Sequence, residues 1–514
     1  MPRITRPPRV AALAAAGLAA ILALSACSAP AAEDSAESSQ SDASLSIAIT
    51  NVPNSIDPAV ISQSPDATIW SALYDRLLSV DPDGKYVPNA AESWEYSDDG
   101  LTLTLKLRDD LSFSNGDPID SAAVKATIDY VRETPGAGQT GWKQAESIEA
   151  PDPQTLVITL SQPDPLLLDG LATYLGVIAD PATLGDPDNA QQPLESGPYT
   201  LDKEATVTGS VYVMQRRDDY WNADAYPFKK LTVKAITDYQ ALYNALSSGE
   251  LDAGYAPSDQ IPALEGNGFV NHVIEGQGTG SLIFADRDGE ILPALADVRV
   301  RQAINMAIDR DGFVSQVLNG AGKAAEQKVT PGTIGYVEKL NETYPYDVEK
   351  ARELMAEAGY ADGFEVTMPS NFLSQSYEPI IGQALKDIGI TVNWQVMQPQ
   401  DPIWESLRFP MGFWVDGGAN TANSMIMNYG PDGSFNPWHV TTPELDDLFA
   451  TAYAATDEDS AAAAWEAINT YAVEEALSAP IFFTQANMVT RPGIEYLGTV
   501  PPSITTVQLY DVTD

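Results

Sequence analysis

Two histidines, one cysteine and a large excess of carboxylates are the groups with which this 514-residue chain could do chemistry. His272 and His439 lie far apart, no HExxH run occurs and no Cys/His cluster exists, so a dedicated transition-metal site is not expected. Each histidine reads most simply as a surface or packing residue. The sequence has no GxSxG elbow, no SxxK pair and no Walker phosphate loop. Gly276, Gly278 and Gly280 form only a GxGxG, which lacks dinucleotide spacing and reads as a flexible crossing between domains. Carboxylate pairs abound because 72 Asp and Glu face 28 Lys and Arg, so no two of them stand out as a glycosidase acid and base. Nothing in these residues asks for catalysis, and they imply no cofactor.

The cysteine has a distinct setting. Residues 10–24 are built only of Val, Ala, Leu, Ile and Gly behind Arg3, Arg6 and Arg9, as in the apolar core of a secretory signal. The run falls short of the roughly 18 apolar residues that a membrane span needs. Leu24-Ser25-Ala26-Cys27 resembles the lipobox of bacterial lipoproteins, which implies that Cys27 is lipidated and becomes the first residue after cleavage. The Ser-, Ala- and acid-rich residues that follow cannot form a core and read as a stalk. The expected order is a signal peptide over 1–26, the acylated Cys27 with its stalk over 27–43, and then a body on the extracytoplasmic face of the cell membrane. Membrane contact would be through the lipid only. With one cysteine, no intrachain disulfide can form.

The formal net charge is −44, and losing the leader arginines makes the body more acidic still. Nucleic acid and anionic lipid are poor partners for such a field, because phosphate binding depends on Lys and Arg. A solvated acidic surface is the simple reading; attraction of cationic ligands is the other.

The elements that must position any site mix alternating strands with amphipathic helices and follow no fixed repeat, which indicates an α/β protein. Leu101, Leu103, Leu105 and Leu107 alternate after the Asp99-Gly100 turn, and 93–97 can pair with them as a hairpin. Residues 155–160 form another strand. Asp238 and Asp347 can each cap a helix, one stopping at Gly249 and the other at Gly359. A single helix is expected over 297–318. The helix 378–387 and the strand from Ile390 to Val396 look like half of a βαβ unit.

Ser55-Ile56-Asp57-Pro58, Leu73-Tyr74-Asp75-Arg76-Leu77-Leu78, Asp83-Gly84-Lys85-Tyr86-Val87-Pro88 and Ala91-Glu92-Ser93-Trp94-Glu95 follow one another in order. Phe113-Ser114-Asn115-Gly116-Asp117, Ser196-Gly197-Pro198-Tyr199, Tyr220-Trp221-Asn222, Val300-Arg301-Gln302-Ala303-Ile304-Asn305 and Ala479-Pro480-Ile481 continue the series. Spread over more than 400 residues, the series resembles the extracellular solute-binding proteins of ABC importers, family 5, which serve dipeptides, oligopeptides and nickel.

The resemblance implies a two-lobe periplasmic-binding-protein fold with an extra inserted subdomain. Lobe I would gather 44–75, 191–284 and 478–514, with 76–190 inserted, and lobe II would run over 285–477. Residues 281–285 and the region near Ala479 would be the hinge crossings. It further implies partnership with an ABC permease and its ATPase subunits, and we expect a monomer. By the same resemblance Ser62, Gln63 and Ser64 would form a short strand beside a peptide ligand. Trp404, Trp414, Val415 and Asp416 would come from lobe II, with the Asp416 carboxylate on the ligand α-ammonium. Asp416 follows Trp414 by two positions where the relatives have three, and it could equally be a turn residue before Gly417-Gly418. The ligand would be a peptide. The alternatives are an opine, an oligosaccharide or a metal chelate on the same scaffold, a sensory receptor, or a secreted hydrolase on an unrecognised fold.

Overall fold

Two long strands, Val270–Phe284 and Ser478–Thr490, run antiparallel, and each starts in one hydrophobic core and finishes in another. Ile274 and Met488 pack with Leu45, Trp70 and Leu231, whereas Leu282, Phe284, Ala479 and Phe482 pack with Val300, Met368 and Leu385. The chain therefore passes from lobe to lobe between residues 274 and 282 and again between 482 and 488. This is displaced from the crossings expected at 281–285 and near Ala479, because Leu282, Phe284 and Ala479 are fully buried in the second core. The computed structural model describes residues 43–513 except Asn54, Pro399 and Ala419; the signal peptide, Cys27 and the stalk up to residue 42 lie outside the described residues.

The glycine triplet sits at the first crossing. The pairing register shifts between Glu275 and Thr279 and again between Gly280 and Ser281, and Gly276 adopts φ 75°. A left-handed glycine is what a bulge of this kind requires, and the bulge bends the strand where it leaves its first core. A Cβ on Gly280 would stand 2.3 Å from the Phe482 ring, so the neighbouring strand also demands a bare backbone there.

Both strands belong to a nine-stranded sheet. Its order runs from Met411–Gly417 through the two crossing strands to Ala253–Tyr255, Ser44–Ile49, Lys230–Ala235, Val211–Arg216 and Tyr199–Leu201, with Lys323–Ala324 joined to Ser478–Thr490. Ser44–Ile49 pairs in parallel with Lys230–Ala235. Its alternate residues Leu45, Ile47 and Ile49 turn inward, as the two-residue period of a strand dictates.

A separate core between Leu77 and Ile178 is built on a four-stranded antiparallel sheet. The expected hairpin is there: Ala91–Tyr96 pairs with Thr102–Leu107, and Leu103, Leu105 and Leu107 are buried. Ser121–Glu133 covers this sheet behind an Asp120 cap. In the second lobe Phe364–Ser370, Glu378–Asp387 and Ile390–Val396 complete a βαβ unit with parallel strands. Asp238 and Asp347 cap their helices as read.

The helix expected over 297–318 is two helices, Val298–Met306 and Arg310–Gln316. Asp309 accepts from the Gly312 amide at 2.9 Å and starts the second. Arg310 then turns inward, donating to the Asn305, Ala325 and Pro480 carbonyls, contacts that an unbroken helix would not deliver.

Candidate ligand-binding cleft

Ser62, Gln63 and Ser64 do not form a strand. Pro65 and Asp66 lead at once into the buried helix Ala67–Leu73, the Ala67 amide bonds to the Ser64 carbonyl, and the Ser64 hydroxyl bonds to Asp66. What this turn offers is side chains. Gln63 and Ser64 line a cavity of about 710 Å³, within the usual range for small-molecule sites. Tyr255, Ser258, Gln277, Gln485 and Asn487 share its wall, and among the described residues none that lines it is an acid or a base. The Asn487 amide donates to Ser258 Oγ at 2.9 Å. Gln277, on the crossing strand, keeps a buried amide nitrogen without a hydrogen-bond partner.

A second cavity, of about 350 Å³, lies where the inserted subdomain, the second lobe and the C-terminal segment meet. Tyr86, Trp94 and Asp169 come from the first, Asn420 and Trp465 from the second, and Ser503 from the third. Ser503 also lines the larger cavity, and Gln63 reaches from that cavity to Asp169. Gln63 Nε2 donates to Asp169 Oδ2 at 2.6 Å, and Ser503 Oγ donates to Asp169 Oδ1 at 2.9 Å. Burial raises the Asp169 carboxyl above its ordinary value, while bonds from Ser503, Gln63 and Asn420 hold it back. Asn420 caps the helix Thr421–Tyr429 with its side-chain oxygen and borders this cavity together with Tyr86 and Asp169.

The second-lobe residues singled out from the sequence stand elsewhere. Trp404 is 65 % exposed, on the short helix Ile403–Arg408. Trp414 packs edge-on against Phe435, and Val415 against the second-lobe core. Asp416 is buried with both oxygens engaged: Lys328 Nζ donates to Oδ1 at 2.6 Å and Asn428 Nδ2 to Oδ2 at 2.8 Å. Lys328 also donates to Ser281 Oγ at 2.6 Å. Burial draws its ammonium below the ordinary lysine range and Asp416 opposes that pull. None of these residues lines either cavity, and Asp416 already holds an ammonium of the chain itself.

Asp169, Asn420, Gln277 and Ser503 carry no motif. One local signal did exist for Asp169, a lone charge inside the apolar run from Leu166 to Ala172, which is how a buried carboxylate looks in sequence. His272 bonds to Thr490 Oγ1 and His439 to the Pro431 carbonyl. Among the described residues no group of three or more His, Cys, Asp or Glu could hold a metal ion, and no helix is long and apolar enough to cross a membrane.

Residues 85–459 match the model of the bacterial extracellular solute-binding proteins, family 5. The glutathione-binding protein GsiB of Pectobacterium atrosepticum is 27 % identical over 433 residues, covering 80 % of this chain and 83 % of its own. Among solved structures, the unliganded open form of the periplasmic murein tripeptide-binding protein MppA superposes with a TM-score of 0.79 at 20 % identity, covering 92 % of this chain and 98 % of that one. NikA of Brucella suis in complex with Fe(III)-EDTA gives 0.75 at 25 % identity, covering 92 % of this chain and 100 % of that one. With its crossing strands, its two lobes and a cleft between them, this chain belongs to the bacterial extracellular solute-binding proteins, family 5.

Proposed function

We propose that this protein is the lipid-anchored receptor of an ABC importer, that it encloses a short peptide between its lobes, and that it hands the peptide to a permease driven by ATPase subunits. The observation that carries the peptide reading is the uncharged wall of the larger cavity. Amides and hydroxyls such as Gln63, Ser258, Gln277 and Asn487 suit the repeated N–H and C=O groups of a peptide backbone while tolerating varied side chains. Gln277 in particular holds a donor for which a ligand carbonyl would be the partner.

The names of the relatives support a peptide without deciding it, since they include glutathione, a murein tripeptide and an iron chelate. A scaffold that takes such different ligands leaves the choice to the lining residues. The receptor works by differential binding: a ligand that touches both lobes only when they are closed shifts the population toward closure, the form a permease can select. No catalytic step belongs to this mechanism. Lipidation at Cys27 keeps the body on the extracytoplasmic face, within reach of the permease.

Native mass spectrometry of the purified protein tests this reading by identifying any co-purified peptide. Thermal unfolding with a pool of short peptides provides the second measurement, because a ligand at about 100 times its Kd adds roughly 2.7 kcal/mol of stability. Turnover of the peptides, or no stabilisation by any of them, would exclude the peptide receptor.

A further inference from the structure

We propose that the cavity bordered by Tyr86, Trp94 and Asp169 receives an organic ammonium group of the ligand, whose uncharged body lies in the larger cavity beside it. The inference rests on the reading of this cleft as the ligand site and names the chemistry it selects.

Asp169 is 7 % exposed, and Gln63 and Ser503, which donate to its carboxylate, are both neutral. Neutral donors hold a buried carboxylate in place without cancelling its charge, and a cation brought by the ligand completes the pairing. Asp416 differs on this point, because Lys328 already neutralises it. The walls around Asp169 add a second, independent attraction. Tyr86, Trp94 and Tyr96 line the cavity, and aromatic faces favour cations at close range.

Charge on the rim points the same way. Asp164, Asp457 and Glu458 border the cavity, while Lys85 is the basic residue among its lining. Among the described residues neither cavity offers a buried base to receive a ligand carboxylate. A compound with a free amine and a neutral polar body fits, and a strongly anionic one is repelled. The acidity of the chain thus has a local use in the cleft besides solubility.

Isothermal titration of the purified full chain with trialanine amide, N-acetyl-trialanine amide and glutathione tests the assignment. The free amine is expected to bind roughly tenfold or more tightly than the acetylated peptide and than anionic glutathione. Asp169→Asn should remove the preference for the amine, and a cooperative melting transition retained by the variant shows that it is folded. Trp94→Leu should weaken the amine alone and by less. A thermal-shift arm compares n-butylammonium with n-butanol, and only the former should stabilise the protein, through Asp169. Equal binding of free and acetylated peptides with no butylammonium effect overturns the ammonium site and leaves the peptide receptor standing. A butylammonium effect lost in Asp169→Asn, with no peptide bound, upholds the site and removes the peptide reading. Silence from every probe, or tighter binding of glutathione than of trialanine amide, overturns the assignment.

Discussion

Lys328 Nζ lies 2.6 Å from Asp416 Oδ1, and both side chains are buried beside the strand that crosses between the lobes. Removing one partner of such a pair leaves the other charged and unpaired in the interior. Asp416→Asn should therefore lower stability by about 3–5 kcal/mol in urea unfolding. Adding Lys328→Met to that variant should regain most of the loss. A destabilisation that the second substitution deepens would show that Asp416 is held by something other than Lys328.

Gly276 makes the crossing possible through its backbone. At φ 75° an alanine is strained, and its Cβ would stand 2.8 Å from Thr330 Cβ. Gly276→Ala should cost about 1–3 kcal/mol and reduce ligand affinity, since the bend that sets the two lobes would shift. Gly249→Ala serves as the control, because that glycine has a similar φ of 75° with open space around it. The effect on affinity should be confined to Gly276.

The elements that could be read from the sequence were the local ones. Asp238 and Asp347 announce their helices because a cap and its helix are adjacent, and Leu103, Leu105 and Leu107 announce a strand through their two-residue period. The break at Asp309 is also local, with Gly312 three residues on, but Val298, Ala303, Ile304, Ala307 and Ile308 share one face of a continuous helix and outweigh it in the sequence. The cleft was not legible, because its partners are remote: Gln63 and Asp169 are separated by 106 positions, and Asp169 and Ser503 by 334. Family likeness pointed to Asp416, and only the fold shows which carboxylate carries a counter-charge.

Cys27 lies outside the described residues, and its role is tested in cells. If the thiol is the membrane attachment, Cys27→Ser leaves the leader and the body intact and removes the anchor. Fractionation should then find the protein in the medium or the soluble fraction, with peptide affinity unchanged. Retention of the variant on the membrane would count against lipidation.

The Asp169 carboxyl also makes a prediction about pH. Its folded-state value is raised by burial above the ordinary 3.8, so the folded protein binds this proton more tightly than the unfolded chain does. The stability that the protonated form contributes is fully present below the ordinary value and is lost as pH rises through the raised one. Tyr86 and Tyr174, which face the same carboxylate, are themselves pushed upward and stay neutral throughout that window. Asp164 borders the same cavity and is raised by burial as well, but it is present in both proteins to be compared. The amide of the Asp169→Asn variant cannot titrate, so the difference in melting temperature between wild type and variant isolates the group. Wild type should gain on the variant as pH falls from neutral toward 3.8, and saturating trialanine amide should shrink that gain, because a bound ammonium favours the charged carboxylate. A difference that stays flat with pH would mean that Asp169 titrates alike in the folded and unfolded chains, and that the cleft leaves its charge unstrained.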